Sequence, residues 1–127
     1  MLGALRVLVP GLLLTAAACG RSRPAEVHPN ALPAYVEVRN QHALPMEIYA
    51  IGSGISHRMG TVHPGMGGHF VVPQNLIGSG SVHLEARPGT SGQPFRSGEL
   101  LIAPGAVVDF VVGDQLFNST ATLRPGG

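Results

Sequence analysis

Between His57 and His69 the chain gathers three histidines and two methionines, in the order His57, Met59, His63, Met66 and His69. Imidazole and thioether groups suit copper in an exported protein, because soft sulfur favours Cu(I) and imidazole serves either oxidation state. On a β-strand, residues two apart share a face, so His57 and Met59 would act together. A hairpin turning at Pro64-Gly65-Met66-Gly67-Gly68 would bring His69 beside them, with His63 and Met66 near the turn. The same residues have plainer roles. Met59 at an alternating position suits a core, His63-Pro64 is a common turn dipeptide, and His69 and His83 fall on positions facing solvent. The expectation is therefore no cofactor, with copper as the alternative.

Catalytic constellations are weaker still. Ser53 and Ser79 sit in Gly-Ser-Gly triplets, which read as turns, and neither lies in the Gly-x-Ser-x-Gly elbow of a hydrolase. The two aspartates, Asp109 and Asp114, are close together in sequence and far from most histidines. Glu85 and Glu99 would have to form a glycosidase pair with nothing around them to mark a sugar cleft. The sequence reads as a protein that is not an enzyme.

A second chemistry belongs to Cys19, the single cysteine. Upstream of it lie one basic residue, Arg6, an apolar and small-residue run from Val7 to Ala18, and the stretch Thr15-Ala16-Ala17-Ala18. That is the layout of a secretory signal peptide over residues 1–18. As a membrane span the twelve residues from Val7 to Ala18 would cover only about 18 Å of a hydrocarbon core about 30 Å thick. Pro10-Gly11 weakens such a helix further.

Small residues leading directly into a cysteine resemble the lipobox of bacterial lipoproteins. Ala16 stands where that class usually carries Leu, and Leu14 lies two positions further upstream. The resemblance implies that Cys19 is lipidated, becomes the first residue after cleavage and anchors the protein to a membrane. With Gly20 next, it implies an outer-membrane location facing the periplasm in a Gram-negative envelope. No second cysteine exists for a disulfide, so a free thiol in an exported chain needs another purpose, and lipidation supplies one.

Removing residues 1–18 from the 127 leaves 109, enough for one domain with a modest core. All eight basic residues are Arg, and without Arg6 seven face seven acids. A neutral chain with scattered charges has no phosphate-tracking patch, so nucleic acid is not an expected partner. Residues 19–33 carry the anchor and a tether, with Arg21, Arg23, Pro24, Pro29 and Pro33 and no core-forming run.

From residue 34 to 124 the pattern alternates between apolar and polar, punctuated by Gly and Pro. Strands are expected at 35–39, 46–51, 55–62, 69–73, 82–87, 95–103, 106–112 and 119–124, the first two forming an antiparallel hairpin. Val36 and Val38 share one face, as do Met46, Ile48 and Ala50, and Val108, Phe110 and Val112 oppose Val107, Asp109 and Val111; Phe70, Val72, Val82, Leu84 and Ala86 should face inward, with Leu76 and Ile77 plugging one end. Seven or eight short strands spaced this way predict an all-β fold, a small antiparallel β-sandwich of immunoglobulin-like or transthyretin-like type. A small β-barrel is the alternative, and residues 125–127 form a tail.

His and Met ligands on a small β-sandwich resemble the periplasmic copper chaperones, which implies a copper-binding role for residues 57–69. This chain lacks their His-x-Met pair toward the far end of the sequence. The leading expectation is a lipid-anchored binding or structural module that meets an envelope protein partner. Its expected contact surface holds Tyr35, Arg39, Tyr49, Arg58, His83 and Arg87, since Tyr and Arg dominate the energetics of protein interfaces.

Overall fold

The computed structural model of the chain describes residues 32–89 and 92–124. Residues 1–18, expected as a signal peptide, Cys19, the part of the expected tether over residues 20–31 and the expected tail 125–127 lie outside the described residues. The described part folds as nine strands: β1 (Tyr35–Asn40), β2 (Met46–Gly52), β3 (Ile55–Val62), β4 (Gly67–Val71), β5 (Ser81–Pro88), β6 (Phe95–Arg96), β7 (Leu100–Leu101), β8 (Val107–Val112) and β9 (Thr120–Arg124). Two single 3-10 turns, Gln74–Leu76 and Leu116–Asn118, are the helical content.

The strands form two sheets that do not close into a barrel. The four-stranded sheet runs β4-β1-β8-β9, and the five-stranded sheet runs β3-β2-β5-β6, with β7 also paired to β5. Every pairing is antiparallel except β1 with β8. The fold is thus the small β-sandwich that strand alternation predicts. Val36, Val38, Met46, Ile48, Ala50, Val82, Leu84, Ala86, Val108, Phe110 and Val112 are all buried between the sheets. Each fully buried Val, Leu, Ile or Phe side chain contributes about 1.5–3 kcal/mol. Leu76 closes one end of this core, and Phe70 and Ile77 pack against it partly buried.

Two expectations about connection change. β1 and β2 do not form a hairpin, because they lie in different sheets. The reason is Asn40, a fully buried amide at the end of β1. Its Nδ2 donates to the carbonyls of Leu44 and Val62, each at 2.9 Å, and its Oδ1 accepts from the His42 amide. Its backbone N–H donates to Met66 O, and its carbonyl accepts from Gly65 N. One side chain therefore holds the 41–45 loop, while its backbone pins the 63–66 turn, and the chain is steered across the sandwich.

The same holds for β3 and β4, which were expected as a hairpin and instead pass from one sheet to the other. The hairpin β2–β3 does form, through Ser53 at φ 53° and Gly54 at φ 76°. Positive φ at both central residues is the type I′ geometry that matches strand twist. The expected strand 95–103 is broken into β6 and β7 by Ser97. Ser97 is buried and bonds the β5 backbone twice: its N–H donates to Leu84 O, and its Oγ accepts from Leu84 N.

Candidate functional site

The outer face of the five-stranded sheet carries a continuous polar strip across β6, β5, β2 and β3. Register sets it up, since Glu85 of β5 lies beside Arg96 of β6 and Tyr49 of β2, and Glu47 of β2 lies beside Arg87 of β5. Arg87 donates through Nε to Glu85 Oε1, and Arg96 Nη2 stands 3.6 Å from the other carboxylate oxygen. The Arg87 guanidinium also lies 3.8 Å from the centroid of the Tyr49 ring, a cation–π contact. Tyr49 Oη donates to Glu47 Oε1, and Arg58 of β3 stands 3.9 Å from that same oxygen. The strip thus runs Arg96, Glu85, Arg87, Tyr49, Glu47, Arg58.

Glu85 faces outward as alternation requires, yet it is buried, because the side chains around it roof it over. That burial is a feature the sequence pattern missed. A glutamate at an outward strand position reads as solvated, and only cross-strand register reveals its two arginines. The hydrogen bond that Arg87 donates to Glu85, followed by the Glu85 charge, holds the Arg87 guanidinium above its ordinary value. His83, on the same strand, bonds through Nδ1 to Ser97 O at 3.0 Å.

The outer face of the four-stranded sheet holds a separate network. Glu37 of β1 is flanked by His69 of β4 and Asp109 of β8. Arg124 of β9 reaches across to grip both oxygens of Asp109, through Nε at 2.6 Å and Nη2 at 2.9 Å. It also stands 3.7 Å from Glu37. His69 donates through Nδ1 to Glu37 Oε2 at 3.1 Å and stacks on Tyr35, with ring centroids 4.7 Å apart. The hydrogen bonds from Arg124 hold the Asp109 carboxyl below its ordinary value, and Asp109 in turn raises the Arg124 guanidinium. Gly67 and Gly68 leave an open groove beside Arg39 on this face.

These two faces divide the expected contact surface. Tyr49, Arg58, His83 and Arg87 share the five-stranded sheet, whereas Tyr35 and Arg39 lie on β1 in the other sheet. The expected copper ligands are also divided. His57 and Met59 lie on β3, where Met59 is the extra residue of a bulge and packs on the core. The His57 Nε2 is sealed from solvent with no hydrogen-bond partner. His63 and Met66 are exposed in the turn, and His69 is exposed in the other sheet, occupied with Glu37 and Tyr35. The hairpin that would have joined His57 and Met59 to His69 does not form. Among the described residues no group of three or more His, Cys, Asp or Glu is placed to hold a metal ion.

The fold and these faces define a small β-sandwich with ordered polar networks on both outer surfaces. No family model and no curated protein matches the chain. Among solved structures it is similar to an NMR structure of a protein from Eubacterium rectale, at 17% identity over 80% of this chain and 96% of that one, with a TM-score of 0.46. It is also similar to a crystal structure of a Gram-negative toxin, at 9% identity and a TM-score of 0.39, covering 76% of this chain and 24% of the toxin chain.

Proposed function

We propose that the chain is an exported envelope lipoprotein, anchored through Cys19, whose β-sandwich is a non-catalytic module that binds an envelope protein partner. In a Gram-negative envelope it would sit on the outer membrane facing the periplasm. The observation that carries the binding reading is the strip from Arg96 to Arg58. Tyr and Arg are the residues that most often dominate interface energy. Here they are already held in place by Glu85, Glu47 and each other, so little side-chain freedom is lost on binding. Anchoring rests on the apolar run and small residues that lead into Cys19.

The two parts are tested separately. Intact mass of the exported chain should show Cys19 as the first residue carrying acyl groups; an unmodified or absent Cys19 overturns the anchor. Affinity purification from cells should lose its specific envelope partner when Tyr49→Ala and Arg87→Ala are combined. An unchanged set of co-purified proteins from a folded double variant overturns the binding strip.

A further inference from the structure

One end of the sandwich is assembled from residues 32–34, 52–55, 71–81 and 101–106, and these contain no Asp, Glu, Arg, Lys or His. They form a single surface. Gly78 N donates to Ile102 O at 2.9 Å, Val72 N to Ala34 O at 2.8 Å, and Tyr35 N to Ala106 O at 3.0 Å. A Cβ placed on Gly105 would meet Leu32 Cδ1 at 3.5 Å, and one on Gly52 would meet Leu76. Four large apolar side chains stand out from this end: Leu32 at 55% exposure, Ile55 at 53%, Val71 at 60% and Leu101 at 69%. A shallow apolar depression lined by Gly78, Gly80, Leu101, Ile102, Ala103 and Pro104 lies among them. Among the described residues the nearest charges lie at its rim: Glu99 accepts a hydrogen bond from Ser81 Oγ at 3.3 Å, and Arg124, paired with Val107, is turned to Asp109.

The opposite end differs. Its loops also expose apolar side chains, Leu44, Met66 and Phe117, but set them among His42, His63 and Asp114. The segment from Cys19 also joins the sandwich at the charge-free end, through Leu32. Twelve residues lie between Cys19 and Leu32, thirteen steps along the chain with an extended reach of about 45 Å, so the connection alone fixes no orientation. Surface chemistry does. Apolar side chains without neighbouring charge are stable in the boundary between headgroups and acyl chains, where each buried methylene contributes about 0.8 kcal/mol. With Arg124 held by Asp109 and no other Lys or Arg at this end among the described residues, nothing there selects anionic lipid.

We propose that the charge-free end of the sandwich, around Leu32, Ile55, Val71 and Leu101, rests in the interfacial layer of a phospholipid bilayer. This deepens the anchoring reading and depends on it for the membrane's proximity. The contact turns the opposite loops away from the bilayer and leaves both outer sheet faces open to a partner.

The test places one environment-sensitive thiol probe at Leu101→Cys or at Phe117→Cys, the latter on the far end. Two forms are used: the lipidated chain, in which Cys19 is blocked, and a chain beginning at Gly20. The second is a fair test because, among the described residues, the core and the side chains packed on it run from Ala34 to Leu123, all within that chain. With phosphatidylcholine vesicles, the Leu101 probe should shift to the blue and be quenched by nitroxide lipids. The Phe117 probe should do neither, and Leu32→Asp should abolish the Leu101 signal. The chain from Gly20 should keep the same ordering at higher lipid.

A silent Leu101 probe in a lipidated chain overturns the contact and leaves the anchor standing. An unmodified Cys19 with a responsive Leu101 in the chain from Gly20 overturns the anchor and leaves the contact. Equal responses at both positions, a blue shift without vesicles that marks self-association, or a requirement for phosphatidylglycerol at low salt each overturn the contact.

Discussion

Glu37 and Asp109 stand side by side on parallel strands, an arrangement that like charges ordinarily disfavour. Arg124 relieves it by gripping Asp109 and standing close to Glu37, while His69 takes the other side of Glu37. Because these hydrogen bonds hold the Asp109 carboxyl below its ordinary value, the folded state binds its proton less readily than the unfolded chain does. The resulting stabilisation is full above the unfolded value of about 3.9 and is lost as pH falls through the lower folded value. Wild type should therefore lose more Tm between pH 5 and pH 3 than Asp109→Asn does, measured by circular dichroism. Equal losses would mean that the Arg124 clamp does not act on folding. Single residues were unevenly legible in the sequence. The inward positions of β5, and the sets of residues that share a face on β1, β2 and β8, follow directly from alternation. Asn40 and Glu85 do not, because an amide beside a turn and a carboxylate on an outer position both look solvated until distant strands supply their partners.

At the scale of elements, the strand positions were legible and their pairing was not. Alternation is local, whereas the crossing of β1 to β2 and of β3 to β4 depends on which sheet each strand joins. That is why the clustering of residues 57–69 in sequence fails to become a cluster of ligands in space. Where β3 and β4 run past each other, the Phe70 ring occupies room left by two glycines. A Cβ on Gly60 would come within 2.7 Å of the ring, and one on Gly68 within 2.8 Å of it and 2.9 Å of Val62 Cγ2. Gly68→Ala should cost about 1–3 kcal/mol by overpacking. Repeated in a Phe70→Leu background it should cost less, with a remainder from Val62, and urea denaturation of the four proteins measures the difference. Additive costs would show that the ring is not what the glycine accommodates.

For the molecule as a whole, the proposed anchoring and the folding of the sandwich separate at the start of the described residues, near Leu32. Among the described residues the buried core spans Ala34 to Val112, and Leu32 touches the sandwich beside Gly105 from an exposed position. Chains beginning at Gly20 and at Leu32 should accordingly unfold within about 0.5 kcal/mol of each other, the range of ordinary surface changes. One further step is different in kind. A chain beginning at Tyr35 removes Ala34, which is fully buried and whose carbonyl accepts from Val72 N at 2.8 Å. It leaves that amide without its partner, at a cost of about 1–3 kcal/mol. Chemical denaturation of the three chains should therefore show a flat profile to Leu32 and a drop at Tyr35. A drop already between Gly20 and Leu32 would mean that residues 20–31 pack on the sandwich as an arm. An arm laid over the charge-free end would also supply the apolar cover that the bilayer contact assigns to lipid, so this truncation series constrains both readings with one measurement.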